Sequence, residues 1–401
     1  MKVAFVTPRY GPRIMGGAET AARQLAEHLV SELGWQAEVY STCAVDHITW
    51  ADELPEGDTA EDGVLVRRFR SASGRDPEFY ELDGRLRLAP SEASPEEARR
   101  WVELNGPVSP ALLDALEQTD ADAVAFYPYL YHPTVSGLAR VKAPTILHPA
   151  AHDEPALYLP VFTDTFSGAD AICYHTVAER RLVQRVHHVA ERPQIVLGLG
   201  VDDRSAEEGR PVAELLGIGD RPYLVSVGRV DDHKGSSMLA AFFRAYKERH
   251  PGPLALALVG PVAARIEADD DVVLTGVVSE ADKRAIVAGA VASVSPSALE
   301  SFSLVVLEAW VQDVPVIVNA TCAPTREHCE RSGGGLWFGC YREFEAVLDA
   351  LLGDEELRRL LARRGHDYVR THYRWPVLIR RYASFVEDVV ARGAGVSPLR
   401  R

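Results

Sequence analysis

Two glutamates, Glu300 and Glu308, bracket seven residues in the stretch Ser-Pro-Ser-Ala-Leu-Glu-Ser-Phe-Ser-Leu-Val-Val-Leu-Glu-Ala that runs from Ser295 to Ala309. Carboxylates accept hydrogen bonds from hydroxyls, so an acidic pair suits a sugar or a ribose. The elements that must position the pair add a second chemistry. Ala290–Val294 reads as a short buried strand. Leu304–Gln312 reads as a helix with Leu304, Leu307 and Val311 on one face. Ser303 is placed to cap that helix, its hydroxyl accepting from a free amide of the first turn. A strand that turns into a helix N-terminus presents amides and a positive dipole end to an anion. Glu300 then lies in the turn and Glu308 one turn into the helix. Phosphate would take the amides and a sugar the carboxylates. Two glutamates eight apart can also be plain helix surface. The upstream strand, the Pro296-Ser297 turn and the apolar neighbours of Glu308 argue against that reading.

Three further clusters carry chemistry. After an expected strand at Tyr223–Val227 comes Gly228-Arg229-Val-Asp-Asp-His-Lys234-Gly235. Two cations at a strand end can stabilise a diphosphate leaving group, as a metal ion would; the rival reading is exposed loop cations. Near the start, Gly16 and Gly17 close a glycine- and proline-rich loop between a buried strand at Lys2–Thr7 and a helix at Ala18–Leu33. Their spacing is not the Gly-x-Gly-x-x-Gly dinucleotide pattern. It does put amides at a helix mouth where an anion can meet them, whereas a tight turn needs only one glycine. His148, His152, Asp153 and Glu154 follow the short strand Thr145–Leu147 at its carboxyl end, the edge where open α/β sheets bind ligands. Asp120-Ala-Asp122 and Asp269-Asp-Asp271 resemble cation-binding pairs, but each precedes a strand and reads as turn chemistry. Arg180, Arg181, Arg185, His187 and His188 read as a solvated helix face.

Bulk properties narrow the class. A length of 401 residues allows two or three domains. The net charge of −15 argues against nucleic acid as the main partner, because phosphate contacts need clustered Lys and Arg. Five cysteines without a CxxC suggest neither a disulfide framework nor a zinc site. Met1–Thr7 reads as a first strand rather than a signal peptide, and no apolar run approaches a membrane span, so a cytoplasmic protein is expected, with peripheral contact at the inner membrane face left open. Strand–helix alternation runs to about residue 200, passes through a polar, glycine-containing connector at Val201–Arg221, and restarts. That implies two doubly wound α/β domains.

Pro296-Ser297, Glu300, Phe302, Leu304-Val305, Leu307-Glu308-Ala309 and Val314-Pro315-Val316-Ile317 together resemble the signature of the retaining glycosyltransferases of family 4. Gly228-Arg229 with Lys234-Gly235 is similar to a second element of that family, and Gly16-Gly17 to a third. Where the family usually carries glycines, this chain has Ser301 and Ser303. The resemblance implies a GT-B architecture of two Rossmann-like domains facing across a cleft. It implies an acceptor-side domain at 1–200, a nucleotide-sugar domain at 201–375, and a C-terminal helix at 376–401 that returns to the first domain. It further implies retaining, metal-independent hexosyl transfer from a UDP- or GDP-sugar to a hydroxyl acceptor in a glycan, glycolipid or natural product, with no other cofactor. Donor contacts would come from Gly16, Gly17, Gly228, Arg229, Lys234, Glu300, Ser301, Phe302, Ser303, Leu304 and Glu308. Catalytic roles would fall to Glu300, His148, Arg229 and Lys234. Acceptor contacts are expected at His152, Asp153 and Glu154. An epimerase of the same fold and a non-catalytic sugar-nucleotide-binding subunit are the alternatives.

Overall fold

The computed structural model describes residues 1–14, 16–72, 74–189, 191–202 and 209–395. The chain divides into two compact units. One is Met1–Gly200 with the segment from Trp375 onward; the other is Val201–Arg374.

The first unit is built on an eight-stranded sheet: β1 (Lys2–Val6), β2 (Gln36–Thr42), β3 (Gly57–Glu61), β4 (Val64–Phe69), β5 (Ala123–Phe126), β6 (Thr145–Leu147), β7 (Ala171–Tyr174) and β8 (Gln194–Val196). Their order is β3-β4-β2-β1-β5-β6-β7-β8, parallel throughout except β3 against β4. Val3, Ala4, Phe5 and Val6 are buried together, as a central parallel strand covered on both faces requires. From β1 the chain winds outward one way through β2 and β4. It returns past β1 and winds the other way from β5 to β8, so order reverses between β1 and β5. The sequence reading missed β3, whose polar residues are mostly exposed. Its hairpin signal is Asp62-Gly63, both at positive φ (49° and 82°), the two-residue turn whose twist matches the flanking strands.

The second unit has six parallel strands: β9 (Tyr223–Val227), β10 (Ala255–Val259), β11 (Val272–Gly276), β12 (Ala292–Ser295), β13 (Val316–Asn319) and β14 (Gly335–Phe338). Their order is β11-β10-β9-β12-β13-β14, which reverses between β9 and β12. The loops after these two strands are therefore neighbours at the carboxyl edge, the ligand-binding position of open α/β sheets.

The helix Tyr341–Gly353 ends at Asp354, whose carboxylate accepts the Leu357 N–H and caps the next helix, Glu355–His372. Two local expectations differ from the structure. The helix Leu304–Val311 buries Val306, Leu307, Ala309 and Trp310, not Leu304 and Val311, because a helix apolar nearly all round leaves periodicity little to choose between faces. His187 does not belong to a solvated face. It is buried and stacks on Phe166 at 4.5 Å.

The closing helix Trp375–Gly395 packs on the helix Gly17–Leu33 of its own unit. The Trp375 indole stacks on His28 at 3.9 Å, and Tyr382 is buried beside β6. No helix among the described residues is long and apolar enough to cross a membrane.

Candidate active site

In the second unit, the loops after β9 and β12 bring opposite charges together. Lys234 Nζ lies 2.6 Å from Glu300 Oε1, with Glu300 only 16% exposed. Arg229, half exposed, reaches Asp231 at 3.3 Å. Asp231 also accepts the Lys234 N–H at 2.7 Å, so one carboxylate organises the turn that carries both cations. The sequence reading had not singled out Asp231. Gly235 lets these loops close: its φ is +76°, and a Cβ there would lie 2.7 Å from the Pro296 carbonyl oxygen. That same carbonyl accepts from Asn319 Nδ2 at 3.0 Å, which ties the β12 loop to the end of β13. Phe302 anchors the far side, fully buried and edge-on to His328 and Tyr373.

Ser303 departs from expectation. It precedes the helix Leu304–Val311 but sits at φ 75°, ψ 79°, and its side chain makes no capping bond. A capping hydroxyl needs an extended backbone at its own residue; the left-handed turn points the Ser303 hydroxyl elsewhere. Its Oγ is buried with no hydrogen-bond partner among the described residues. Glu308, one turn on, is paired with Lys283, whose Nζ stands 3.3 Å from both carboxylate oxygens. Lys283 lies on the helix Glu280–Ala288 and carried no recognisable signal in the sequence.

In the first unit, Gly16 and Gly17 stand at the carboxyl edge of β1. Gly16 has a packing reason: a Cβ there would collide with the carboxylate of Glu19. Glu19 is buried against Arg9, whose Nε donates to it at 2.9 Å. A Cβ at Gly17 would meet nothing within 4 Å, so the backbone there is open. His148 follows β6 and is 1% exposed. It stacks on Tyr127 at 4.1 Å and shares a 3.1 Å hydrogen bond with Tyr382. Burial holds its pKa well below the usual histidine value, so the ring is neutral. His152 Nδ1 lies 3.7 Å from Glu154, which accepts the Tyr129 hydroxyl at 3.0 Å. Asp153 accepts from Tyr158 at 2.7 Å and faces Arg185 at 3.5 Å. Beneath this loop, Glu179 is buried and accepts the N–H groups of Ala151 (2.7 Å) and His175 (2.6 Å). Desolvation pushes its pKa up to about 7.

The aspartate pairs do turn work. Asp120 and Asp122 hold Lys2, by its ammonium and its backbone N–H. Asp269 accepts the N–H groups of Asp271 and Val272, and Asp271 pairs with Arg221. Among the described residues no three His, Cys, Asp or Glu side chains gather as a metal site would need.

Known proteins share this organisation. Residues 213–367 match the family Glycosyl transferases group 1. An uncharacterized glycosyltransferase of Methanocaldococcus jannaschii is 22% identical over 403 residues, covering 94% of this chain and 95% of that one. Glycosyltransferase 1 domain-containing protein 1 of Xenopus tropicalis is 25% identical over 164 residues; the match takes in 39% of this chain and about half, 47%, of that relative. Sucrose-phosphate synthase from Thermosynechococcus elongatus superposes with a TM-score of 0.72 at 17% identity, over 98% of this chain and 99% of that one. Anabaena HepE, solved in complex with UDP and glucose, gives 0.66 at 14%, over 97% and 100%. The chain thus has the GT-B fold, and its residues 213–367 match the glycosyl transferases group 1 family.

Proposed function

We propose that the protein transfers a hexosyl group, with retention at the anomeric carbon, from a UDP- or GDP-sugar to a hydroxyl acceptor of a glycan, glycolipid or natural product. The observation that carries this reading is the 2.6 Å contact of Lys234 with Glu300 where strand order reverses. A cation for a diphosphate and a carboxylate for a sugar stand side by side at the edge where such ligands bind. The UDP and glucose held by HepE support the donor class.

In this reading Arg229 and Lys234 neutralise the diphosphate as its charge grows. Amides of Ser301, Phe302, Ser303 and Leu304, with those of Gly16, Gly17 and Gly228, supply further donors to phosphate. Glu308 accepts from the ribose hydroxyls. Glu300 faces the sugar ring, where a carboxylate stabilises developing positive charge. His148 is neutral, so its part is hydrogen bonding to the sugar rather than proton transfer. His152, Asp153 and Glu154 serve the acceptor. No side chain offers itself as a covalent nucleophile. The bond from the anomeric carbon to phosphate oxygen breaks, the bond to acceptor oxygen forms on the same face, and the acceptor proton passes to the departing phosphate.

The test combines binding and turnover. UDP and GDP are titrated calorimetrically, and UDP- and GDP-sugars are offered with mixed hydroxyl acceptors. Release of nucleoside diphosphate with a product of retained configuration by NMR is the expected result. An epimerised sugar nucleotide without release identifies the epimerase of the same fold. Binding without turnover of any donor identifies a binding subunit.

A further inference from the structure

Lys283 is one turn into the helix Glu280–Ala288, and that helix is firmly set. Ser279 caps it through the Asp282 N–H at 3.1 Å. Asp282 in turn accepts from the Arg210 N–H at 3.0 Å and from its guanidinium at 2.8 Å. The stem of Lys283 is therefore fixed, and its side chain is 17% exposed. Its ammonium meets two acids: Glu280 at 2.7 Å, which is largely exposed, and both oxygens of Glu308 at 3.3 Å. The two contacts with Glu308 are equal in length. A cation within reach of both oxygens restrains where the carboxylate sits and leaves each oxygen with lone pairs to spare.

A carboxylate fixed in that way can accept two hydrogen bonds at once from neighbouring hydroxyls. A freely rotating one loses side-chain entropy each time it does so. Building on the donor reading above, we propose that Lys283 is a positioning residue that sets the preference for a ribonucleotide donor, by holding Glu308 so that both its oxygens meet the ribose cis-diol. A 2′-deoxyribose offers one hydroxyl and forfeits half of that recognition. An ordinary ion pair at this position would contribute little and would not distinguish sugars.

The experiment uses the full chain as wild type, Lys283→Met, Lys283→Gln, Lys283→Arg and Glu280→Gln. Each is titrated calorimetrically with whichever of UDP and GDP the wild type binds, and with its 2′-deoxy counterpart; thermal melting confirms folding. In the wild type the ribonucleotide should bind about tenfold more tightly than the deoxy form, the worth of one hydrogen bond to a charged group. Lys283→Met and Lys283→Gln should lose about tenfold in ribonucleotide affinity and little in deoxyribonucleotide affinity, so the ratio falls towards one. Donor KM should rise with kcat nearly unchanged. Lys283→Arg should restore most of the preference, and Glu280→Gln should leave it intact. A wild-type ratio in either folded neutral variant overturns the role of Lys283. Should both neutral variants fail to fold, a wild-type ratio in Glu308→Gln overturns it in their place, because the carboxylate would not be the group that reads the diol. A wild type that binds neither UDP nor GDP overturns the donor reading itself.

Discussion

Lys234 and Glu300 lie 2.6 Å apart although their loops follow different strands, 66 residues apart in the chain. The contact means neither charge can be removed without changing the other. Glu300→Gln frees the ammonium, so nucleotide affinity should hold or rise slightly. Transition-state charge on the sugar loses its carboxylate, and kcat should fall by about 10²-fold. Lys234→Met removes a diphosphate contact and leaves a mostly buried Glu300 without its cation. Both donor affinity and kcat should fall. Steady-state kinetics with calorimetric nucleotide binding checks the pair. A Glu300→Gln variant with normal kcat would reverse the assignment.

Chelation is expected to leave transfer intact. The cations Arg229 and Lys234 occupy the loop where diphosphate charge would develop, and both aspartate pairs are engaged in turns or with Lys2 and Arg221. Activity should be the same, within error, before and after dialysis against EDTA. Loss in EDTA with recovery in magnesium or manganese would contradict this.

Much of this site was legible in the sequence, and what was missed has a common cause. The strand-end placement of Arg229, Lys234 and Glu300 follows from apolar runs that give way to glycine, proline and polar residues, which local reading detects. The partners Asp231 and Lys283 were not legible. Lys283 meets Glu308 only because the helices on either side of β12, Glu280–Ala288 and Leu304–Val311, fold side by side, and nothing in the 24 intervening residues encodes that distance. The Ser303 hydroxyl was misassigned for a related reason. Residue type suggests a cap, but the backbone angle set by packing Phe302 decides where the hydroxyl points. β14 was missed because Gly335–Phe338 is short and carries no alternation.

Ser303→Gly should stabilise the protein. A left-handed serine is strained, and its buried hydroxyl finds no partner among the described residues. Relief of both, less the entropy glycine adds to the unfolded chain, should amount to about 1 kcal/mol. Ser303→Ala removes the hydroxyl but keeps the strained angle, so it should fall between. Thermal unfolding should rank Gly above Ala above Ser. A glycine variant that melts below the wild type would show that the hydroxyl is held after all.

The closing helix should be essential to the first unit rather than an appendage. Trp375 is buried and stacked on His28, Tyr382 bonds His148, and Arg381 donates to the Val196 carbonyl at 2.8 Å. Trp375→Ala should cost about 3–5 kcal/mol by cavity formation. Loss of soluble protein, or a large fall in the denaturant midpoint, is the expected readout. A midpoint within error of wild type would mean the helix docks without Trp375.

Acid should unfold this protein more steeply than its carboxylates alone would dictate. Burial lowers the pKa of five histidines: His132 and His148, and His175 to about 3, His187 to about 4 and His328 to about 3. Each takes up its proton at lower pH in the folded protein than in the unfolded chain, where it does so near pH 6.5, so the unfolded chain binds more protons as pH drops. Stability is then lost as pH falls below about 6.5, at up to about 1.4 kcal/mol per pH unit for each histidine. Glu179 acts in the opposite sense. Its pKa is raised to about 7 by desolvation, so its contribution is full below the ordinary glutamate value and is lost as pH rises through 7. One group of that sign offsets one histidine, and the histidines outnumber it. Denaturant midpoints at pH 8, 6.5 and 5 should fall on acidification. Glu179→Gln, which cannot take up the compensating proton, should fall more steeply still. A midpoint that holds or rises between pH 6.5 and 5 would show that these rings gain protons in the folded protein.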